Sequence, residues 1–215
     1  FGKVANIPTD GIEPILFYMS GIAIWNYFSA CLTATSSTFV ANAGIFGKVY
    51  FPRLVIPLST VVSNMVKFAI QFLLLLAVII WFAIKNGQFH FGASWLLIPI
   101  LIVMMAGLGL GLGIIISSLT TKYRDFSVLI GFAVQLLMYA TPVAYPLSYL
   151  KDKAYAGWIA WNPLSPIVEA FRYALFGKGT VDMNGLLYSG GFIVLVVFIG
   201  MIIFSKVERS FMDTV

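Results

Sequence analysis

Five long stretches with almost no charge dominate this sequence of 215 residues. They hold 23 to 36 residues each, and the only charged residue inside any of them is Lys67. An apolar helix of about 20 residues is long enough to cross a lipid bilayer. The pattern therefore predicts an α-helical protein that crosses a membrane about five times. The stretches lie between Glu13 and Lys48, Arg53 and Lys85, Lys85 and Lys122, Asp125 and Lys151, and Asp182 and Lys206.

The overall composition indicates the same class of protein. Only 10% of the residues are charged and 60% are hydrophobic, whereas soluble domains carry about 25% charged residues. We therefore exclude a soluble enzyme, a nucleic-acid-binding protein and a disordered chain. The predicted fold is all-α and polytopic, with residues 1–215 forming a single transmembrane domain. Its predicted spans are about Pro14–Val40, Pro57–Ile84, Trp95–Leu119, Phe126–Tyr145 and Leu186–Phe204.

The segment at residues 42–56 is too short and too charged to cross a membrane. Pro52 disfavours a helical conformation for the residue before it, so we expect a short amphipathic element on the membrane surface. Six basic residues fall on each side of the predicted spans, which leaves the orientation undecided by number. The side that holds residues 42–56 and the turn at 120–125 has the shorter loops, which favours it as the cytoplasmic side.

The longest segment between spans, residues 146–185, is broken by an Asn-Pro pair and carries a second helical pattern. We expect Ser165 to cap a short half-buried helix that Pro166 opens. Glu169 and Arg172 are three residues apart and can pair on its polar face. The opposite face is apolar along its length and comprises Ile167, Ala170, Phe171, Ala174 and Leu175.

Motifs for catalysis and nucleotide binding are absent from the sequence. A phosphate-binding loop needs a glycine six residues before its Gly-Lys lysine, but Lys48 has Asn42 at that place and Lys178 has Arg172. The single cysteine and single histidine exclude a disulfide within the chain and a zinc-protease motif. We expect no catalytic residue, no metal site and no cofactor on this chain.

The second predicted span carries a polar stripe at four-residue spacing, made of Ser59, Ser63, Lys67 and Gln71. An ionisable residue inside a span is costly and is a functional candidate by default. Lys67 either faces a hydrated conduit or lies near enough to the surface to extend its amine to the headgroups. The sequence leaves both interpretations open.

The fourth predicted span ends in a polar and aromatic group around Pro142. This proline removes a helical hydrogen bond, so we expect it to bend the helix. Gln135 and Tyr139 share a face with Pro142, and Tyr145 follows it. These side chains form either an aromatic belt at the membrane interface or the wall of a conduit.

The third predicted span contains Gly107, Gly109, Gly111 and Gly113. Gly107 and Gly111 are four residues apart, as are Gly109 and Gly113, so two faces of one helix lack side chains. Lipid supplies no hydrophobic drive for helix association, and small residues let helices approach closely. We therefore predict tight helix packing at these four positions. A dinucleotide-binding fingerprint is excluded, because no strand precedes the glycines.

Five sequence stretches follow one another in a recognisable order between residues 7 and 179: IPTDGIEPILFYMSGIAIWNYFS, NAGIFGKVYFPRLVIPLS, TTKYRDF, YATPVAYP and NPLSPIVEAFRYALFGKG. Together they resemble the membrane subunit of type-2 ABC exporters, in the branch that exports O-antigen, capsule or teichoic-acid polysaccharides. The cytoplasmic N-terminal helix and first span of that family have no counterpart here. We therefore expect six spans in the full protein.

The resemblance implies a permease subunit rather than an enzyme. It would act as a homodimer with two copies of a separate ATPase subunit, which would bind ATP and Mg. The implied substrate is a lipid-linked polysaccharide, and the implied location is the bacterial cytoplasmic (inner) membrane.

The resemblance also implies roles for particular residues, beside the conduit proposed for Lys67, Gln135, Tyr139 and Tyr145. An element that docks on the ATPase matches Asn42, Gly44, Lys48, Tyr50, Phe51, Pro52 and Arg53. Re-entrant gate helices on the outer side match a region that includes Trp158, Trp161, Asn162, Pro163, Glu169 and Arg172.

Three alternative functions stay open on the sequence alone. A permease for a drug or a lipid would share the architecture. A secondary transporter would need ionisable residues inside the membrane, and only Lys67 is available. A membrane-embedded glycosyltransferase or acyltransferase would need a cluster of carboxylates or histidines, which the sequence lacks.

Overall fold

The computed structural model describes residues 8–46, 54–86, 92–122, 126–150, 157, 159, 161–179 and 181–212. The described residues form helices and no strands, which confirms the predicted all-α fold class. Two short 3₁₀ helices, Ala93–Leu96 and Leu147–Leu150, accompany the α-helices. The α-helices are α1 (Pro14–Ser36), α2 (Thr38–Phe46), α3 (Val55–Asn86), α4 (Leu97–Lys122), α5 (Phe126–Tyr139), α6 (Leu164–Phe176) and α7 (Met183–Met212).

Four helical segments in the described part of the chain are long and apolar enough to cross a membrane: Pro14–Ser36, Val55–Lys85, Ala93–Thr120 and Met183–Val207. They correspond to four of the five predicted spans. The fifth, α5, is apolar but has only 14 residues. At 1.5 Å per residue it is about 21 Å long, which is shorter than a hydrocarbon core of about 30 Å.

The end of α5 corrects the expectation that Pro142 bends a continuing helix. The helix stops at Tyr139, and a turn follows in which the Thr141 N–H donates to the Met138 carbonyl and the Val143 N–H to the Thr141 carbonyl. Pro142 has no N–H to continue the helical ladder and disfavours a helical conformation for Thr141 before it. The predicted fourth span is therefore too long by six residues at this end.

The first predicted span is divided into α1 and α2 at Ser37. A break of this kind leaves backbone groups without helical partners. Side chains of α4 supply partners for two of these groups: the Thr120 hydroxyl donates to the Ser36 carbonyl at 3.0 Å, and the Phe39 N–H donates to the Ser117 hydroxyl at 3.3 Å. The break is therefore held by α4.

α4 packs between α1 and α7, and its four glycines lie at the two contacts. A Cβ atom built on Gly113 would lie 2.5 Å from the Thr35 Cβ of α1, and one on Gly109 would lie 2.7 Å from the Cys31 Cβ. Cβ atoms on Gly107 and Gly111 would instead lie 2.8 to 3.0 Å from side chains of α7. The two glycine faces expected from the spacing therefore lie against two different helices.

α6 is almost completely buried, and the apolar face expected for it packs into the core. It begins at Leu164 rather than at Pro166, and the expected cap at Ser165 is wrong. The Asn162 side chain accepts a hydrogen bond from the Leu164 N–H, whereas the Ser165 hydroxyl donates to the Ile159 carbonyl. The helix ends at Phe176 and is capped by Gly177, whose φ of 65° is a left-handed conformation that glycine adopts without strain.

Candidate substrate conduit and outer gate

Arg172 lies in the core of the protein, where only 2% of its surface is exposed. Its guanidinium donates to the carbonyls of Pro142, at 2.7 Å, and of Val143, and it pairs with Glu169 at 3.3 Å. The ring of Phe17 on α1 lies 3.7 Å from the guanidinium carbon, a cation–π contact. The ion pair follows the predicted spacing, but its expected place on a polar face is wrong, because α1 and the residues after α5 cover it.

Glu169 is the second charged group of this cluster, and it too is largely buried. One of its carboxylate oxygens accepts hydrogen bonds from both Arg172 and the backbone N–H of Leu147. Burial raises the pKa of Glu169, and the neighbouring guanidinium opposes that shift. Burial also lowers the pKa of Arg172, to about 10, which leaves it cationic at neutral pH.

A third side chain, that of Asn162 just before α6, also contacts the residues that follow α5. Its amide nitrogen donates to the Ala140 carbonyl at 3.1 Å and to the Thr141 hydroxyl at 3.0 Å. We call residues 140–147 the outer turn, after the side of the membrane on which the sequence resemblance predicts the gate. Asn162 contacts its first residues, Arg172 its middle and Glu169 its end, so side chains from residues 162–172 bind the outer turn along its whole length.

The predicted conduit residues lie at the end of α5, beside the outer turn. Gln135 is exposed, and Tyr139 is 71% exposed. Tyr145 is half-buried, and its hydroxyl donates to the Tyr139 carbonyl at 2.7 Å. The two tyrosines are therefore joined by a hydrogen bond, and the ring of Tyr139 is free to contact lipid, a second subunit or a substrate.

The aromatic side chains expected at the outer gate are only partly described. Trp161 is 75% exposed and packs edge-on against Tyr188 of α7, whose hydroxyl donates to the Trp161 carbonyl. The carbonyl of Pro163 accepts a hydrogen bond from Ser189 at 2.7 Å. These contacts fix the start of α6 to α7. Trp158 lies outside the described residues.

Lys67 is exposed on α3, together with Ser59 and Ser63 of the predicted stripe. It lies 12 residues, or about 18 Å, from the first residue of α3. Asn64, which is nearby in sequence, is buried instead, and its side chain donates to the Ala30 carbonyl of α1 at 3.3 Å. Asn64 therefore holds α3 against α1, whereas the side chain of Lys67 is exposed beside this contact.

The predicted ATPase-docking element is described only at its start. Asn42 lies on α2, where its amide donates to the Thr38 carbonyl at 2.9 Å, and Gly44 is exposed, with nothing within 4 Å of the place that a Cβ atom would take. The rest of the predicted element lies outside the described residues: Lys48, Tyr50, Phe51, Pro52 and Arg53.

Sequence reasoning missed the contact that anchors the start of α2. The ring of Phe39 is fully buried and stacks on the ring of Phe204 in α7, with centroids 4.6 Å apart. Together with the hydrogen bonds from Ser117 and Thr120, this contact fixes α2 to both α4 and α7. The only sequence signal was the pair of hydroxyl side chains near the end of an apolar span.

The described residues contain no group of three histidine, cysteine, aspartate or glutamate side chains placed to hold a metal ion. The chemistry of the cluster around Arg172 is that of a structural anchor, because its donors are directed to backbone carbonyls and to Glu169.

The fold and this arrangement of helices define a multi-pass α-helical membrane protein. Residues 1–176 match the family model for the ABC-2 type transporter, and the chain belongs to that family. This confirms the family that the sequence resemblance predicted.

Several relatives with known roles match over most of the chain. An O-antigen export system permease protein, RfbA, of Klebsiella pneumoniae is 33% identical over 92% of this chain and 74% of its own length. The RfbA protein of Myxococcus xanthus is 24% identical over 93% of this chain and 75% of its own length. The polysialic acid transport protein KpsM of Escherichia coli is 22% identical over the full chain and 81% of its own length.

Proposed function

We propose that this chain is the permease subunit of an ATP-driven exporter that carries a lipid-linked polysaccharide across the bacterial cytoplasmic membrane. The observation that supports this most strongly is the similarity, over nine-tenths of the chain, to a permease named for O-antigen export. The proposed assembly is a homodimer of this chain with two ATPase subunits. ATP and Mg bind the ATPase subunits in this proposal, because the sequence has no phosphate-binding loop.

The function is tested by genetic complementation. A strain that lacks its own permease of this family, but keeps the ATPase and the glycan-synthesis enzymes, accumulates polysaccharide inside the cell. Expression of this chain with its cognate ATPase should restore the polysaccharide to the cell surface, detected by a glycan-specific antibody. Absence of surface glycan, together with resistance to exported drugs, would instead identify a drug exporter.

The separation of permease and ATPase is tested with purified proteins. The permease alone should hydrolyse no ATP above background, and turnover should appear when the ATPase subunit is added. An ATPase variant that lacks its catalytic carboxylate serves as the control. Turnover that persists with this variant would place the hydrolytic site on the permease and overturn the proposal.

Lys67 supports a conduit for an anionic substrate. Lysines reach the headgroups from positions near helix ends, whereas in a bilayer centred on the Val55–Lys85 helix Lys67 would lie within about 5 Å of the midplane along the helix axis. None of the eight carboxylates of the chain falls inside the four spans, so a second copy offers no carboxylate there to pair with it. A phosphate group on a lipid carrier is a counter-ion of the right chemistry.

The role of Lys67 is tested by substitutions that separate charge from size. Lys67→Leu should lower export about tenfold or more at equal protein levels, because a charged hydrogen bond contributes about 1.5–3 kcal/mol. Lys67→Arg keeps the charge and should retain most of the export. Equal export by both variants and the unsubstituted protein would show that Lys67 does not contact the substrate.

The ATPase-docking role is proposed from sequence for Phe51 and Arg53, because aromatic residues and arginine are frequent interface anchors. Phe51→Ala combined with Arg53→Ala should reduce co-purification of the ATPase and abolish export, while the permease still inserts in the membrane. Val62→Ala is a control on an exposed residue of α3 outside the predicted docking element. Normal co-purification by the double variant would place the docking surface elsewhere.

A further inference from the structure

The outer turn connects α5 to the segment that leads into α6, and its path is set by side chains rather than by helical hydrogen bonds. Pro142 ends the helical ladder, so the carbonyls of Pro142 and Val143 point to side-chain donors instead of to backbone N–H groups. Arg172 supplies both donors, and its guanidinium is buried where no water competes for them. The position of the outer turn therefore depends on Arg172.

The other side-chain hydrogen bonds to the outer turn come from α6 and from Asn162 just before it. Glu169, one turn earlier on the same helix, both orients Arg172 and accepts the Leu147 N–H at the far end of the outer turn. Asn162 binds the near end. Charge-assisted hydrogen bonds are about twice as strong as neutral ones, so the Arg172 and Glu169 contacts are the strongest links between α6 and the residues after α5.

The cluster formed by Arg172, Glu169 and the outer turn contacts α1 through packing rather than through hydrogen bonds. Arg172 meets α1 through the face of the Phe17 ring and through Gly21, where a Cβ atom would lie 2.5 Å from the guanidinium and 2.6 Å from the Val143 carbonyl. A ring face and a bare glycine provide no directional hydrogen bond. A shift of the cluster against α1 therefore breaks none of its buried hydrogen bonds. It would strain only two exposed ones beside it, from the Ser148 hydroxyl to the Asp10 carboxylate and from the Lys178 amine to the Gly11 carbonyl, whereas leaving the outer turn loses several buried ones.

We propose that Arg172 is a positioning residue that fixes the outer turn to α6, so that the end of α5, the outer turn and α6 move as one rigid unit against α1 during transport. This rests on the proposed export function. It also makes the expected outer gate more specific, because in this proposal α6 and the end of α5 move together and α6 does not swing away from α5. Instead, Arg172 keeps Tyr139 and Tyr145 at a fixed position relative to α6 while the unit moves.

The test measures distances by pulsed electron paramagnetic resonance in the complete permease–ATPase complex. Cysteines replace Tyr149, just after the outer turn, and Lys178, just after α6, with Cys31→Ala to remove the native thiol; both label positions are exposed. A second pair, Tyr149 and Ile84, reports the movement of the outer turn relative to the exposed end of α3. Each pair is measured without nucleotide and in a trapped ATP-bound state.

The expected result is a change in the Tyr149–Ile84 distance with ATP, while the Tyr149–Lys178 distance stays constant within about 2 Å. A change in the Tyr149–Lys178 distance would show that α6 and the outer turn separate, and would overturn the proposal. Constant distances for both pairs would also overturn it, because the unit would not move. Neither result depends on glycan export, so a failure of the export function in complementation is detected separately.

Substitution of Arg172 provides the second readout. In Arg172→Leu the Tyr149–Lys178 distance distribution should broaden, because the two carbonyls lose their shared donor. Arg172→Lys keeps a buried cation that can reach one carbonyl, and it should restore part of the narrow distribution. An equally narrow distribution in Arg172→Leu would show that Arg172 does not position the outer turn. If Arg172→Leu fails to fold, Arg172→Lys carries the test, and a distribution as narrow as that of the native arginine would show that the two guanidinium donors do not position the outer turn.

Discussion

Gly113→Ala is the sharpest test of the packing at the centre of the bundle. The added Cβ would lie 2.5 Å from the Cβ of Thr35, 2.9 Å from its Cγ2 and 3.1 Å from the Leu32 carbonyl. Ordinary carbon contacts lie at about 3.5–4.0 Å. No rotation of the Thr35 side chain moves its Cβ, so α1 and α4 must separate by about 1 Å along their contact.

The magnitude follows from two opposing effects of the same substitution. Overpacking a close contact costs about 1–3 kcal/mol, whereas replacing glycine by alanine in a helix contributes about 1 kcal/mol of stability. Gly191→Ala and Gly131→Ala give only the second effect, because nothing lies within 4 Å of their Cβ positions. Gly113→Ala should therefore be less stable than either control by about 1–3 kcal/mol.

The assay is thermal or denaturant unfolding of the purified permease in one detergent, monitored by tryptophan fluorescence. Gly107→Ala adds a graded comparison, because its nearest neighbour is the terminal Cγ2 methyl of Ile193, which can rotate away. We expect the stability order Gly191→Ala, then Gly107→Ala, then Gly113→Ala. If Gly113→Ala unfolds at the same point as Gly191→Ala, the close contact of α1 with α4 is refuted.

Three further substitutions test other parts of the structure. Arg172→Leu should lower the free energy of unfolding by about 3–5 kcal/mol, because it leaves a buried carboxylate unpaired; an unchanged unfolding midpoint would show that the ion pair is solvated. Phe39→Ala should lower it by about 3–5 kcal/mol, whereas Val40→Ala at the exposed neighbour should change it little, and equal effects would contradict the stacking on α7. Tyr139→Ala combined with Tyr145→Ala should reduce surface display of long polysaccharide chains in the complementation assay while ATP hydrolysis continues; normal display would place both tyrosines against lipid.

Features that depend on local sequence were predictable. The four-residue spacing of the glycines anticipated two close helix contacts, because spacing alone decides which residues share a helix face. The apolar face of α6 was predicted for the same reason, and Pro14 opens α1 as expected. These predictions needed only the helical period and the preferences of proline for the first turn.

Features that depend on distant residues were not predictable from the pattern. Glu169 and Arg172 have the spacing of a surface ion pair, and only the packing of Phe17 and the carbonyls of the outer turn shows that Arg172 is buried. The break at Ser37 has no proline or glycine to mark it. Its hydrogen bonds come from Ser117 and Thr120, about 80 residues later in the chain.

The position of α4 between α1 and α7 has a consequence for the order of assembly during synthesis. α1 is already made when α4 emerges, so the face with Gly109 and Gly113 can be covered at once. Val197 of α7, which lies against Gly111, follows the last residue of α4 by 75 positions, which takes about 4–15 s at a synthesis rate of about 5–20 residues per second. During that interval the face with Gly107 and Gly111 has no partner from α7. A ribosome that stalls before α7 therefore leaves a half-built bundle whose bare helix surface distinguishes it from the finished protein, and membrane quality control can act on it.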